Sequence, residues 1–277
     1  MQLNEVEIVS SAATHVGKVR QDNQDSLKVC STDNHHSDST GFLYGIADGM
    51  GGYAHGGVAS TVALETLFET YYEAKKESPS QKIRVGIQNA NLNVYKTAQT
   101  MASGKMGTTL TAVSVDHQTL TIGHVGDSRA YLIRDNKSKC LTNDHTRVGE
   151  LVRMKLLTPE KVRTHVQRSV LDKCLGIGLF VQPDVFEVPV QDGDKILLCT
   201  DGLWSVIDDH EFGSFISTVK SEEVCDSLVN LAMERDSDDN ISILLIDLHK
   251  LSKKKPAEQK KSKWHFPSML SKLVKGH

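Results

Sequence analysis

The 277-residue sequence has no long apolar run and only five cysteines. No stretch approaches the roughly 18 apolar residues of a membrane-spanning helix, and no apolar segment follows the N-terminus. None of the cysteines forms a CxxC pair, and they lie far apart at Cys30, Cys140, Cys174, Cys199 and Cys225. This pattern argues against a disulfide framework and a zinc site, and it predicts a protein of the reducing cytoplasm.

Three common catalytic signatures are also missing. The sequence contains no GxxxxGK[ST] nucleotide loop, no GxSxG nucleophile elbow and no HExxH zinc helix. These absences leave a reaction that depends on some other arrangement of polar side chains.

The charge of the chain is unevenly distributed. The net charge is -3, but residues 250–277 hold nine lysines and one glutamate, so this tail carries +8 and residues 1–249 carry -11. An acidic body argues against nucleic acid as a partner and is compatible with bound cations. We predict one domain over residues 1–249, followed by a basic, flexible tail over residues 250–277.

The periodicity of apolar residues predicts a mixed fold. Two amphipathic helices are expected around 59–71 and 83–98, and strands at 109–115, 119–125 and 129–134 are expected to form one antiparallel meander. The other expected elements are a first strand near 5–11, an exposed loop at 31–40, a helical segment at 141–176, strands at 184–190, 195–200 and 241–248, and a helix around 224–232. Hairpins outnumber βαβ units in this order, which favours an α+β sandwich.

An aspartate stands at the end of an apolar strand more than once. The run 41–47 leads into Asp48-Gly49, the run 196–200 leads into Asp201-Gly202, and Asp239 precedes the last strand. Carboxylates gathered in one place repel one another unless cations bind, and Mg²⁺ or Mn²⁺ prefers such oxygen ligands. The alternative is structural, because Asp-Gly turns after strands are common.

Other polar residues have two interpretations each. Arg20 could form a surface ion pair with Asp25, or its guanidinium could bind a phosphate. Asp127 lies in a turn, where aspartate is most often a turn former. His145 and His165 are more often surface or structural residues than ligands.

Six motifs, in one order from about residue 10 to 248, resemble the type-2C metal-dependent Ser/Thr protein phosphatases. They are Arg20-x-x-Asn23-Gln24-Asp25, Ala47-Asp48-Gly49-Met50-Gly51-Gly52, Gly107-Thr108-Thr109, Gly126-Asp127-Ser128-Arg129-Ala130, Thr200-Asp201-Gly202-Leu203-Trp204 and Asp239-Asn240. The segment around His145 and His165-Val166-Gln167-Arg168 resembles the flap of the bacterial branch. The resemblance implies a four-layer αββα sandwich, in which two antiparallel sheets are flanked by helices.

The resemblance also implies a binuclear Mg²⁺ or Mn²⁺ centre. Asp48 would bridge the two ions and the Gly49 carbonyl would bind one of them, while Asp201 and Asp239 would hold the other. A weaker third ion would be shared by Asp127 and Asp201. The implied reaction is direct attack of metal-activated water on phosphoserine or phosphothreonine, with no covalent phosphoenzyme.

The remaining implied roles concern the surroundings of the ions. Arg20 would bind the substrate phosphate, Asp25 would steady metal-bound water, and Asn240 would support the site from behind the ligands. The implied partners are phosphoproteins and a Ser/Thr kinase whose action the enzyme reverses, and we expect a monomer. The rival hypothesis is a non-catalytic phosphopeptide-binding or scaffold protein of the same fold. Such proteins usually lose a core acid, whereas this sequence keeps all three.

The sequence departs from the family at several positions. Met50 stands where animal members carry a histidine credited with protonating the leaving group, so the acid is either a metal-bound water or His55. Ser205 replaces an aspartate common among relatives. Val166 and Ser169 replace the proline and asparagine common in the bacterial flap, and we expect these changes to affect substrate fit.

The tail beyond the resemblance combines lysines with large apolar residues. After a lysine-rich linker come Trp264 and Phe266, and then four apolar residues at helical spacing: Met269, Leu270, Leu273 and Val274. One interpretation is a disordered basic end. The alternative is a short amphipathic anchor that binds an anionic membrane surface or a partner protein, which would make a cytoplasmic protein peripheral to the membrane.

Overall fold

The computed structural model describes residues 7–29, 41–50, 55–74, 77–101, 105–158 and 161–251. The ten strands are β1 (Glu7–His15), β2 (Asp25–Val29), β3 (Phe42–Asp48), β4 (Leu110–Asp116), β5 (Thr119–Val125), β6 (Arg129–Arg134), β7 (Lys137–Cys140), β8 (Asp184–Pro189), β9 (Lys195–Cys199) and β10 (Ile241–His249). The six helices are α1 (Gly56–Glu73), α2 (Pro79–Thr100), α3 (Arg147–Arg153), α4 (Asp201–Trp204), α5 (Asp209–Thr218) and α6 (Val224–Glu234). The predicted 31–40 loop and nearly all of the predicted tail lie outside the described residues.

The strands form two five-stranded antiparallel sheets. The first sheet has the order β1-β10-β9-β6-β7, and the second has the order β2-β3-β4-β5-β8. Helices α1 and α2 pack on the outer face of the second sheet, and α4, α5 and α6 pack on the outer face of the first. A third apolar layer lies between the sheets. The predicted four-layer αββα sandwich is therefore confirmed.

Strands buried on both faces explain why the apolar runs are nearly continuous. In β3, Tyr44 and Ile46 point into the layer between the sheets, while Leu43 and Ala47 point toward α1 and α2. Because successive side chains of a strand point to opposite faces, both sets must be apolar. The same alternation occurs in β9 and β10, where Leu197 and Ile243 pack on the helix side and Ile196 and Leu244 pack between the sheets.

The predicted single meander is wrong for its third strand. Strands β4 and β5 form a hairpin, but the turn Gly126-Asp127-Ser128 carries the chain into the first sheet, where β6 pairs with β9 and β7. Gly126 has a φ of +111°, a conformation that favours glycine. Apolar alternation identifies a strand but does not specify the sheet to which it belongs.

The predicted helical segment at 141–176 is also wrong over most of its length. Only α3 is an α-helix in the described part of this segment, and it begins where the Thr146 hydroxyl accepts a hydrogen bond from the Gly149 amide at 2.9 Å. Lys155 then adopts a φ of +59°, which ends the helical path, and Leu156 is 71% exposed instead of packed.

No helix in the described part of the chain is long and apolar enough to span a membrane.

Candidate active site

Two carboxylates lie side by side at the end of the second sheet. The register of β2 and β3 pairs Asp25 directly with Asp48, so their side chains are neighbours across the strands. The Thr200 hydroxyl, from the first sheet, donates a hydrogen bond to Asp25 Oδ2 at 2.9 Å. The alternative of a surface ion pair between Arg20 and Asp25 is wrong, since Asp25 faces inward and Arg20 bonds elsewhere.

The first sheet supplies two more carboxylates to the same place. Asp201 begins α4 directly after β9, and Asp239 lies just before the adjacent strand β10. A side chain on Gly202 would collide with the backbone oxygen of Asn240, so α4 sits directly against the turn that carries Asp239. The strand-end acids predicted from the sequence are therefore brought together.

Asn240 fastens the loop that carries Arg20. Its side-chain amide donates to the carbonyls of Val16 and Asp22 at 2.8 and 3.0 Å, and its oxygen accepts a hydrogen bond from the Gln24 amide at 2.9 Å. On this loop, Arg20 Nη2 donates to Asp239 Oδ2 at 2.7 Å. Asn240 therefore holds the Arg20 loop in position, a role that the Asp239-Asn240 motif alone did not reveal.

Asp127 reaches the same recess from the turn that joins the two sheets. The Trp204 indole donates to the Asp127 carbonyl at 2.9 Å. His145 exchanges two hydrogen bonds with the backbone of Gly126, of 2.7 and 3.2 Å, and its ring stacks on His124 with 4.8 Å between the centroids. The structural interpretation of His145 agrees with these contacts, because the residue supports the Asp127 turn from beneath.

The end of β3 is held by backbone contacts that require glycine. The Asp48 carbonyl accepts hydrogen bonds from the Thr109 amide at 2.9 Å and the Thr108 hydroxyl at 2.8 Å. A side chain on Gly49 would collide with the Gly56 carbonyl and come within 2.6 Å of the Gln24 carbonyl. This tight passage fixes the direction in which the Asp48 carboxylate points.

Burial of the converging carboxylates disfavours the ionisation of four of them. We call Asp25, Asp48, Asp127, Asp201 and Asp239 the acid cluster. Burial, and then neighbouring carboxylates, raises the pKa of Asp25 and of Asp127 to about 7 and holds the pKa values of Asp48 and Asp201 well above the usual range. Hydrogen bonds from Ser242 and Thr200 only partly offset this effect at Asp25.

Two oxygens of the acid cluster have no hydrogen-bond partner in the described part of the chain. They are Asp25 Oδ1 and Asp201 Oδ1, and both are buried. A buried carboxylate oxygen without a partner is costly, and a divalent cation would relieve that cost. The donor set is all oxygen, which suits Mg²⁺ or Mn²⁺. The residues therefore fit the predicted ions in chemistry.

The cluster is not arranged as a finished ligand set. Among the described residues, no group of three or more Asp, Glu, His or Cys side chains is positioned to hold a metal ion. One reason is that Asp239 is turned toward the guanidinium of Arg20. Binding an ion at this edge would require Asp239 to leave Arg20, which would also release the Arg20 guanidinium.

Comparison with known proteins gives a consistent result. The family model "Protein phosphatase 2C" matches residues 9–241. The serine/threonine phosphatase stp of Listeria welshimeri is 32% identical over 250 residues, which cover 88% of this chain and 97% of that protein. The chain belongs to the protein phosphatase 2C family. The predictions of this family and of a metal-dependent protein phosphatase are confirmed.

Solved structures agree with the family assignment. The phosphatase MsPP from Mycobacterium smegmatis, in complex with cacodylate, is 34% identical with a TM-score of 0.76, covering 87% of this chain and 98% of that one. The catalytic domain of the serine/threonine protein phosphatase PstP, in complex with two manganese ions, is 28% identical with a TM-score of 0.76, covering 88% of this chain and all of that one. A two-manganese relative supports metal dependence.

Proposed function

We propose that the chain hydrolyses phosphoserine and phosphothreonine in proteins at the acid cluster, by direct attack of water, and so reverses the action of a Ser/Thr kinase. The observation that carries this proposal is the convergence of five carboxylates from both sheets beside Arg20, two of them with buried oxygens that have no partner among the described residues. The serine/threonine phosphatases among the relatives support the same substrate class.

The residues proposed to hold the ions follow the predicted assignment. Asp48 and the Gly49 carbonyl would hold one ion, with Asp48 shared, and Asp201 and Asp239 would hold the other. Asp127 and Asp201 would hold a weaker third. When bound, such ions supply an activated water and neutralise charge that develops on the phosphoryl group.

Arg20 is proposed to bind the substrate phosphate. Its side chain is 44% exposed and reaches the recess from the loop that Asn240 holds. A guanidinium offers paired donors to phosphate oxygens, and this one lies within hydrogen-bond distance of Asp239 in the acid cluster.

Asp25 is proposed to orient the attacking water. The Thr200 hydroxyl donates to its Oδ2, whereas its buried Oδ1 has no hydrogen-bond partner in the described part of the chain. The proton donor for the leaving group stays a prediction, with a water or His55 as the candidates, because Met50 offers no proton.

A phosphatase assay with and without Mn²⁺ tests the proposal and its rival. We expect hydrolysis of p-nitrophenyl phosphate and of phosphoserine peptides in Mn²⁺, and none in excess chelator. A protein that binds phosphopeptides but hydrolyses neither substrate in Mn²⁺ would be the non-catalytic scaffold. The kept acid cluster favours the enzyme.

Three further predictions extend the proposal to the cell. We propose that the protein is cytoplasmic and monomeric. We also propose that its basic tail is the part that contacts an anionic membrane or a partner protein. Residues 252–277 lie outside the described residues, so this contact rests on the sequence alone. Sedimentation with anionic liposomes of the full chain and of a chain ending at Leu251 would test it, with equal sedimentation counting against membrane contact.

A further inference from the structure

A short segment beside the acid cluster exposes three large apolar side chains. Ile177 is 46% exposed, Leu179 is 55% exposed and Phe180 is 95% exposed, all within four residues. Single exposed apolar residues are ordinary on protein surfaces, but a group of this size marks an interaction surface. We call Ile177, Leu179 and Phe180 the apolar ledge.

The ledge is held in place by the residues just before it and within it. Leu175 and Thr108 exchange backbone hydrogen bonds of 2.8 and 3.2 Å. The buried side chain of Asn91 accepts a hydrogen bond from the Gly176 amide and donates one to the Gly178 carbonyl, each at 2.9 Å. A segment fixed by four hydrogen bonds presents its apolar side chains to solvent as part of a defined structure.

The same contacts join the ledge to the candidate active site. Thr108 forms a bridge to Leu175 on one side and to Gly49 on the other. A side chain on Gly107 would come within 2.6 Å of Met50 Sδ and 3.3 Å of Ile177 Cδ1, so Met50 and Ile177 both lie next to the face of Gly107 where a side chain would stand. Because Thr108 lies between them, Gly49 and Leu175 are two interstrand spacings apart. This distance is about 10 Å, which roughly three residues of extended chain would span.

We propose that the apolar ledge binds the polypeptide of the phosphoprotein substrate, through a large aliphatic or aromatic side chain roughly three to five residues from the phosphorylated residue. The inference rests on the proposed function and adds a substrate preference to it. Continuity with the acid cluster identifies the occupant, because Thr108 joins the segment before the ledge to Gly49, and Ile177 lies beside the same glycine as Met50.

The test uses the full chain and two series of phosphoserine peptides. Within each pair, the peptides differ only at one flanking position, which carries leucine or serine. We expect the wild type to prefer the leucine peptide by about 10-fold in kcat/KM, mainly through KM, since burying one such side chain has an effect of this order. The double variant Leu179→Ser/Phe180→Ser should lose the preference and keep its turnover of p-nitrophenyl phosphate.

A matched control separates the ledge from a general loss of apolar surface. Val85 lies on α2 and is 40% exposed, so Val85→Ser removes a comparable exposed side chain elsewhere, and it should keep the peptide preference. Equal kcat/KM for both peptides at every flanking position in the wild type would overturn the proposal.

Binding measured without turnover keeps the two proposals distinguishable. Fluorescence anisotropy in chelator should show tighter binding of the leucine peptide to the wild type than to the double variant, even if neither hydrolyses p-nitrophenyl phosphate. In that case the phosphatase proposal fails and the ledge proposal stands. Two other results would show that the proposal is wrong. If the only effect of the double variant is to convert a dimer to a monomer in sedimentation velocity, the ledge binds a second copy of the chain. If its only effect is a loss of liposome binding, the ledge binds a membrane.

Discussion

Two charged regions contact Trp204, and they differ in how far their carboxylates are paired with cations. The first is the acid cluster, a half-buried recess of carboxylates whose only described cationic partner is Arg20, bonded to Asp239. The second is the buried Arg129, which binds Asp144 through two hydrogen bonds of 2.9 and 2.7 Å and lies over the Trp204 ring at 3.7 Å. Asp209 completes this Arg129 network, because it accepts from Arg129, Tyr131 and Arg163.

The contrast distinguishes charged residues that stabilise the fold, as in the Arg129 network, from charged residues that are proposed to bind a ligand, as in the acid cluster. In the Arg129 network every carboxylate has a cation, so the arrangement is stable as it stands. In the acid cluster two buried oxygens lack partners in the described chain, and the pKa values of Asp25, Asp48, Asp127 and Asp201 are raised. A folded protein tolerates such repulsion only where something else compensates it, and here we propose that divalent ions do so.

The largest expected effect comes from removing one charge of the acid cluster. We expect Asp201→Asn to lower kcat for p-nitrophenyl phosphate in Mn²⁺ by about 10³-fold, since an ion site supplies several kcal/mol of stabilisation. The same change should raise the Tm of the metal-free protein, because it removes one repelling carboxylate. Asp236→Asn, at an exposed ion pair with Lys18, is the control. Undiminished activity of Asp201→Asn would refute the assignment.

Removing a charge from the Arg129 network should have the opposite effect on stability. Arg129→Met leaves Asp144 buried without a cation, which costs about 3–5 kcal/mol, or roughly 6–20 °C in Tm. Arg235→Met, at an exposed pair with Glu211, should cost at most about 1 kcal/mol. Thermal unfolding in chelator compares the two variants. Equal losses would show that the Arg129 network is not structural.

Arg20 is the proposed phosphate-binding residue of the acid cluster, and its removal should lower activity by an intermediate amount. Arg20→Ala should lower kcat/KM for phosphopeptides by about 10- to 100-fold, or roughly 1.4–2.8 kcal/mol of phosphate stabilisation. Calorimetric titration with Mn²⁺ should show affinity no weaker than in the wild type, because Asp239 loses a competitor. Loss of Mn²⁺ binding would make Arg20 a structural residue.

The last expected effect is a pH dependence of folding stability that the acid cluster causes only in the metal-free protein. The raised pKa values mean that the folded state holds protons up to about pH 7 at Asp25 and Asp127, whereas unfolded carboxyls lose them near pH 4. Folding stability in chelator should therefore fall as pH rises through this window. Mn²⁺ should remove the effect, so the Tm difference between Mn²⁺ and chelator should widen from pH 5 to 7.

A histidine provides a check on the sign of that pH dependence. Burial lowers the pKa of His124 to about 4, so its contribution to stability is present above its usual pKa of 6.5 and is lost as pH falls toward 4. This slope is opposite to that of the acid cluster and is common to both metal conditions. A Tm difference that stays constant with pH would contradict the proposed repulsion among the carboxylates.

Strand-end acids could be predicted from the sequence because their signal is local. An apolar run that ends in aspartate, as at Asp48 and Asp201, needs no knowledge of partners. The partners themselves are contacts over long stretches of chain, and they were predicted poorly. Arg20 binds Asp239 rather than Asp25, and β6 joins the other sheet, because periodicity carries no information about which distant segment a strand or side chain meets.

The pairing of β1 with β10 has a consequence for the order in which a newly made chain can become active. Every residue from Glu7 to His15 finds its strand partner between Ile241 and His249. At 5–20 residues per second, the ribosome needs roughly 10 to 45 seconds to pass from His15 to Ile241. The second sheet is complete in sequence by Pro189, but Asp239, which bonds Arg20, and Asn240, which holds the Arg20 loop through three hydrogen bonds, come only after it. We therefore expect a chain still being synthesised to stay inactive until the segment with Asp239 and Asn240 has been made.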